Sequence, residues 1–252
     1  MYRYFIYLSF DGRAYHGWQI QPNGITVEEA LEKALSTLLH TPIDVTGAGR
    51  TDAGVNARLM VAHFDLQEPL ELPLDCHQLA YRLNKMLPRD ISVSQILPVP
   101  SDLHARFSAK RRTYHYYIHT RKDPFRRAYS HEIHYALDFD QMNAAAQMLV
   151  GTRDFQCFCK AGSDVKTTVC DLYEARWDHL DGEAWCFTIS ANRFRGGHPG
   201  GGGSRTPLAA KAGGGARKGH QERRGREHAS PRAISVGCGV WRAGTAGKWC
   251  FG

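Results

Sequence analysis

The sequence predicts an α/β protein of the α+β type, with helices packed on a mostly antiparallel sheet. Three observations carry this. An aromatic-rich run, Arg3 to Phe10, has strand composition; Val27, Leu31, Ala34, Leu35 and Leu38 recur at helical spacings of three and four; and strand-like and helix-like segments recur in both halves of the chain. At 252 residues the chain holds enough material for one large or two modest domains with a sizeable core.

The elements follow in order. The first strand ends at Asp11-Gly12, a turn pair. Thr26-Val-Glu-Glu29 has the form of a capping box, so a helix is expected from there to about Leu39 with one face on a sheet. Strand-like runs at Ile43 to Val45 and from about Leu59 to Leu66 flank a glycine-rich loop, and a connection bounded by Pro69 and Pro73 leads to a helix over about 75–86. Ile91, Val93, Ile96 and Leu97 between Asp90 and Pro98 predict another strand, which closes the first half near residue 100. The second half is expected to hold a Tyr-rich strand from Arg112 to His119, an amphipathic helix over 138–150, and strands near 169–177 and 184–191.

The loop between the two runs is Gly47-Ala-Gly-Arg50-Thr-Asp52-Ala-Gly-Val55. Three glycines in eight residues are costly to order unless the backbone turns tightly or lets another group approach closely. A lone carboxylate and a lone arginine on a loop held by sheet at both ends are placed as loops that present chemistry place theirs. The plainer alternative is a surface turn in which Asp52 forms an Asx-turn.

Gly49-Arg50-Thr51-Asp52-Ala53-Gly54-Val55 resembles the signature of the tRNA pseudouridine synthase A family. Three more blocks support the resemblance in order: Tyr15-His16-Gly17-Trp18-Gln19 with Gln21, His104-Ala105-Arg106-Phe107-Ser108-Ala109, and Tyr114-His115-Tyr116. The resemblance runs from Tyr2 to about Phe194. It implies two similar lobes sharing a sheet with the cleft between them, isomerisation of uridine to pseudouridine at positions 38–40 of the tRNA anticodon stem-loop, a homodimer, and no cofactor. It makes Asp52 the nucleophile and Tyr114 the ring that stacks on the target base.

The chemistry fits those residue types. Isomerisation breaks the glycosidic C–N bond, turns the base and rejoins it through carbon, with no redox step. A carboxylate serves as nucleophile toward sugar or base, or as the base in a proton abstraction, and the sequence does not choose among these routes. Arg50 is expected to hold Asp52 ionised by charge pairing, or else to contact backbone or phosphate. A flipped-out uridine needs a stacking surface, which Tyr114 offers; without the resemblance, Tyr114 and Tyr116 read as one face of a strand. Lys110, Arg111 and Arg112 before that strand are candidate RNA backbone contacts. Arg106 is a further candidate, equally readable as structural. Asn56 stands where the family usually has His, and it keeps a donor and an acceptor but cannot become a cation.

The net charge of +7 belongs to the end of the chain: residues 195–252 hold 11 of the 32 basic side chains and two of the 25 acidic ones, a net of +9, which leaves 1–194 at −2. Overall basicity is therefore no argument that the body binds RNA. Seven scattered cysteines fit a reducing compartment, and Cys157-x-Cys159 lacks the spacer and second pair of a zinc site, so no metal is expected. No signal peptide and no apolar run near the ~20 residues of a membrane span is seen, and the expected location is the cytoplasm.

The resemblance breaks after Phe194. The family continues with an apolar helix that supplies a basic residue to the site; this chain continues Arg195-Gly-Gly-His-Pro-Gly-Gly-Gly-Gly203. Residues 195–252 hold 16 of the 25 glycines and only seven of Val, Ile, Leu, Met, Phe, Tyr or Trp, so they are expected to be disordered. A frameshift explains this: codon degeneracy lets Gly197-His-Pro-Gly-Gly-Gly-Gly, moved by one base, encode Gly-Ile-Arg-Ala-Val-Val-Gly. The rival is a genuine Gly/Arg-rich RNA-binding tail. The expected organisation is a lobe with the Asp52 loop over 1–105, a second lobe over 106–194, and an out-of-frame tail over 195–252, leaving the chain as written unstable or inactive. Two other readings are an RNA-binding protein without catalysis, which has no use for a carboxylate beside an anionic backbone, and a glycosidase-like hydrolase, which lacks a recognisable partner carboxylate.

Overall fold

In order along the chain, the first half runs β1 (Tyr2–Phe10), α1 (Val27–Leu39), β2 (Thr46–Gly47), β3 (Ala57–Leu66), α2 (Cys76–Met86) and β4 (Ile91–Val99). The second half runs α3 (Ala105–Ser108), β5 (Arg111–His119), β6 (His131–Glu132), α4 (Phe139–Gln147), β7 (Gly151–Asp154), β8 (Val169–His179) and β9 (Ala184–Arg193), and β10 (Ser235–Cys238) follows. These assignments come from a computed structural model that describes residues 1–72, 74–158, 168–193 and 235–238.

One mixed sheet carries both halves in the order β4-β1-β3-β10-β5-β9-β8-β7, with β2 on β3 and β6 on β5. Its pairs are antiparallel except for β10 with β5 and β6 with β5. The α+β expectation therefore holds. β1 is the axis of the first half because its alternate residues Tyr4, Ile6, Leu8 and Phe10 are buried in one core with Val27, Leu31 and Leu35 of α1 and Leu79 and Leu83 of α2. Val27, Leu31 and Leu35 are fully buried, which stabilises by roughly 1.5–3 kcal/mol for each side chain. Across the register, Arg3 grips Asp65 with two 2.7 Å hydrogen bonds.

In the second half, Asn143 of α4 bonds both the N–H and the carbonyl of Trp177 on β8, and Phe139 stacks on Trp185 at 3.6 Å. A second core there gathers Ala146, Phe155, Leu172, Ala175, Phe187 and Ile189.

The helices begin where the sequence places them, and Thr26, Asp75 and Asp138 each accept a backbone N–H three residues on. Ile43 to Val45 departs from expectation. Its amides bond side chains of α1 instead of a neighbouring strand, Ile43 N–H to Ser36 Oγ and Val45 N–H to Glu32 Oε1, and pairing with β3 begins only at Thr46. The short strands β2, β6 and β7 carry no period long enough to read. Of the tail expected to be disordered, Ser235–Cys238 forms a strand between β3 and β5; residues 194–234 and 239–252 lie outside the described residues.

Candidate active site

The loop that carries Asp52 leaves the sheet after β2, where Ala48 N–H donates to the Val61 carbonyl at 2.8 Å, and re-enters it at Ala57. Between those points it is held by the segment after β1. Trp18 N–H donates to the Thr51 carbonyl at 3.1 Å, Gly54 N–H donates to the Tyr15 carbonyl at 3.2 Å, and Val55 N–H closes a turn on the Asp52 carbonyl at 3.2 Å. The Tyr15 to Gln21 block is therefore the loop's cradle.

Gly47 makes the close approach possible. A Cβ on Gly47 would lie 2.5 Å from the Trp18 indole, which is buried beneath it. The indole Nε1 donates in turn to Glu28 in the first turn of α1 at 3.0 Å, and the same carboxylate accepts the Ile20 N–H. The Gln21 side chain donates to the His16 carbonyl and tightens the same segment.

Asp52 itself is exposed, and so is Arg50. Among the described residues no ion pair joins them, contrary to the expected charge pairing. Asn56 accepts the Gly12 N–H at 2.7 Å, a task that a neutral amide performs fully.

Tyr114 lies on β5, half-buried, and packs against both apolar cores, so its ring stands where the two halves meet. The register sets its distance from the loop. Ala57 opposes Cys238, and Cys238 opposes Tyr114, so the residue that ends the Asp52 loop and Tyr114 share one row at roughly 10 Å across two strand spacings.

The basic residues before Tyr114 separate into different roles. Lys110 is exposed, as an RNA contact requires. Arg111 donates to Glu174 at 2.9 Å and lies over the Tyr173 ring, so its charge is already engaged. Arg112, expected to reach phosphate, is only 8% exposed; its Nη2 donates to the Ala48 carbonyl at 2.7 Å and the Arg106 carbonyl at 2.9 Å. The alternation of β5 turns its side chain inward, which corrects the phosphate reading for this residue. Arg106 is half-buried on α3.

The His104 to Ala109 block is structural at its start. His104 Nδ1 accepts the N–H groups of Arg106 and Phe107 and caps α3, while its ring meets His63 edge-on at 4.5 Å. His63 accepts the Ala105 N–H at Nδ1, and its pKa falls to about 4, chiefly because burial disfavours the cation, with the charge of Arg3 adding to the effect.

A groove of about 600 Å³ opens elsewhere, beside Asp11, Asn56, Arg58, Arg89, Tyr117 and Arg126, and it includes neither Asp52 nor Tyr114. Among the described residues no three His, Cys, Asp or Glu gather as metal ligands, and no helix is long and apolar enough to cross a membrane. Cys159 lies outside the described residues.

The comparisons with known proteins agree on one family. The family model described as tRNA pseudouridine synthase matches residues 6–108 and 145–196, which takes in the Asp52 loop and its cradle and ends where the sequence pattern breaks. A tRNA pseudouridine synthase A of Bacteroides fragilis is 54% identical over 192 residues, covering 76% of this chain and 75% of the relative. One from Parabacteroides distasonis is 50% identical over 194 residues, covering 77% and 75%. A more distant one, from Bacillus subtilis, is 41% identical over 174 residues, covering 68% and 69%. The chain belongs to the tRNA pseudouridine synthase family.

Proposed function

We propose that this chain is built to isomerise uridine to pseudouridine in tRNA, at positions 38–40 of the anticodon stem-loop, with Asp52 as nucleophile. The observation that carries this reading is an exposed carboxylate, unpaired among the described residues, on a loop that is fixed by backbone hydrogen bonds and ends at Ala57, in the same sheet row as a half-buried tyrosine. A nucleophilic carboxylate needs its lone pairs uncommitted and its backbone held, so that little ordering remains for the bound complex.

The glycosidic C–N bond of the target breaks, the freed base turns while stacked on Tyr114, and a C–C bond to the same ribose replaces it as the carbon loses its proton. Asp52 bonds to the reacting nucleoside and is released at the end. Arg50, which does not contact Asp52, is suited to a phosphate beside the flipped nucleotide, and exposed Lys110 to the backbone further along. Family membership supports a cytoplasmic homodimer that works without a cofactor.

The sequence of residues 195–252 departs from the pattern of the family, so activity is expected to be weak or lost until they are exchanged. The test is pseudouridine formation in a tRNA anticodon stem-loop by four proteins: the full chain, a chimera carrying the C-terminal segment of the Bacteroides fragilis relative after residue 194, and Asp52→Ala in each. Product from the chimera and none from its Asp52→Ala form is the expected result. Product that survives Asp52→Ala, or a folded chimera that makes none, overturns the reading.

A further inference from the structure

We propose that Arg112 is a positioning residue that fixes the Asp52 loop against the strand bearing Tyr114. Its catalytic sense rests on the function proposed above. The geometry has three parts. Arg112 stands two residues before Tyr114 on β5, with its side chain on the same face of the strand. Its Nη2 reaches the Ala48 carbonyl, four residues before Asp52, at 2.7 Å, and the Arg106 carbonyl at 2.9 Å. The guanidinium also lies directly against the loop, since a Cβ on Gly49 would sit in van der Waals contact with Arg112 Nε at 3.7 Å.

The second half of the sheet thereby holds the base of the loop from below, while the Tyr15 to Trp18 segment holds its outer end. A guanidinium suits this task better than an ammonium. The two N–H groups of Nη2 lie in the guanidinium plane and bond two carbonyls in one fixed orientation, the group never deprotonates, and its burial is tolerated only while those bonds persist. Nucleophile and stacking ring then keep their separation before RNA arrives, and misplacement of about 1 Å in such a pair costs on the order of 10²-fold in rate.

The test combines a reading of the loop with a reading of the chemistry, in the full chain and in the chimera of the preceding subsection. Hydrogen exchange over residues 47–55 is followed for Arg112→Met and Arg112→Lys, with peptides from β1 and β4 as the reference for global opening. Arg112→Met is expected to speed exchange of the loop peptide about tenfold while the reference peptides stay unchanged. In the chimera it is expected to lower kcat about 10²-fold with KM within about twofold. Arg112→Lys retains the charge and N–H donors on a shorter, unforked side chain and is expected to recover part of both losses.

Three outcomes overturn the proposal. One is unaltered loop exchange in Arg112→Met. Another is exchange that accelerates equally in every peptide, which marks a general stabiliser. The third is a rise in KM alone with a shallower salt dependence, which marks a phosphate contact. Should no unsubstituted protein form pseudouridine, the function reading falls by itself, and the loop exchange still decides whether Arg112 holds the loop.

Discussion

Gly17 and Thr51 meet so closely that a Cβ on Gly17 would lie 2.3 Å from the Thr51 carbonyl oxygen, with Gly17 held at a φ of +90°. The next residue, Trp18, donates its N–H to that same carbonyl, so the contact seats the loop immediately before Asp52. Gly17→Ala is expected to suffer both left-handed strain and a backbone clash, for a loss upward of about 2 kcal/mol. Gly54→Ala separates the two effects. Gly54 has a φ of +79° with nothing within 4 Å of its Cβ position, so only strain acts there, about 1 kcal/mol. Urea midpoints of the two variants measure the difference, and equal losses would remove the clash from the account.

Much of this cradle was visible in the sequence as motifs and invisible as contacts. Thr26 announces its helix because capping is local chemistry. Asp52 and Tyr114 were found through their motifs, and the sheet row that relates them depends on the pairing of β3, β10 and β5, which no local pattern encodes. Arg112 was misread for the same reason. In the run Lys110-Arg-Arg112 all three residues look solvated, and only strand alternation combined with the nearby Ala48 carbonyl turns one of them inward. The expected Arg50–Asp52 pair fails because neighbours two apart on a turn need not face one another.

His63 gives the first half a defined acid weakness. Its ring is packed among Ala105, His104, Arg3 and Asp65, and its pKa in the folded chain is about 4 against an ordinary value near 6.5. Between those values the unfolded chain binds the proton and the folded chain does not, so stability falls as pH drops from about 6.5 toward 4 and is fully present above that window. The loss is at most ~3 kcal/mol. His63→Gln keeps an acceptor for the Ala105 N–H without titrating, so the difference in urea midpoint between pH 7.5 and pH 5 should be smaller in the variant than in the parent. An unchanged difference would assign the acid sensitivity to other groups.

The loop's second support is the Glu28 carboxylate, which takes the Trp18 indole N–H and the Ile20 N–H, each at 3.0 Å. Glu28→Ala leaves a buried indole donor without that acceptor and is expected to destabilise by about 1–3 kcal/mol. Glu28→Gln still offers one oxygen and should lose less. Thermal unfolding of the pair checks the ordering, and an alanine variant as stable as the glutamine variant would show that the carboxylate does not hold the indole.

The joint between the two halves is the remaining point of weakness. β1 and β3 pair over eight register positions, whereas β10 meets β3 at only two, Gly237 with Leu59 and Cys238 with Ala57, with an irregularity between them. The strand that spans the sheet's centre therefore contributes few ladder bonds on the side of the Asp52 loop, and it comes from the stretch where the family match has already ended at residue 196. Exchanging residues 195–252 for the C-terminal segment of the Bacteroides fragilis relative replaces this short strand with that relative's own sequence. The chimera is expected to unfold at a higher urea concentration and with a larger m-value, because more surface is buried when both halves close on one strand. If midpoint and m-value match those of the original chain, β10 already closes the sheet as well as the family's own segment does, and residues 195–252 are a working part of this protein.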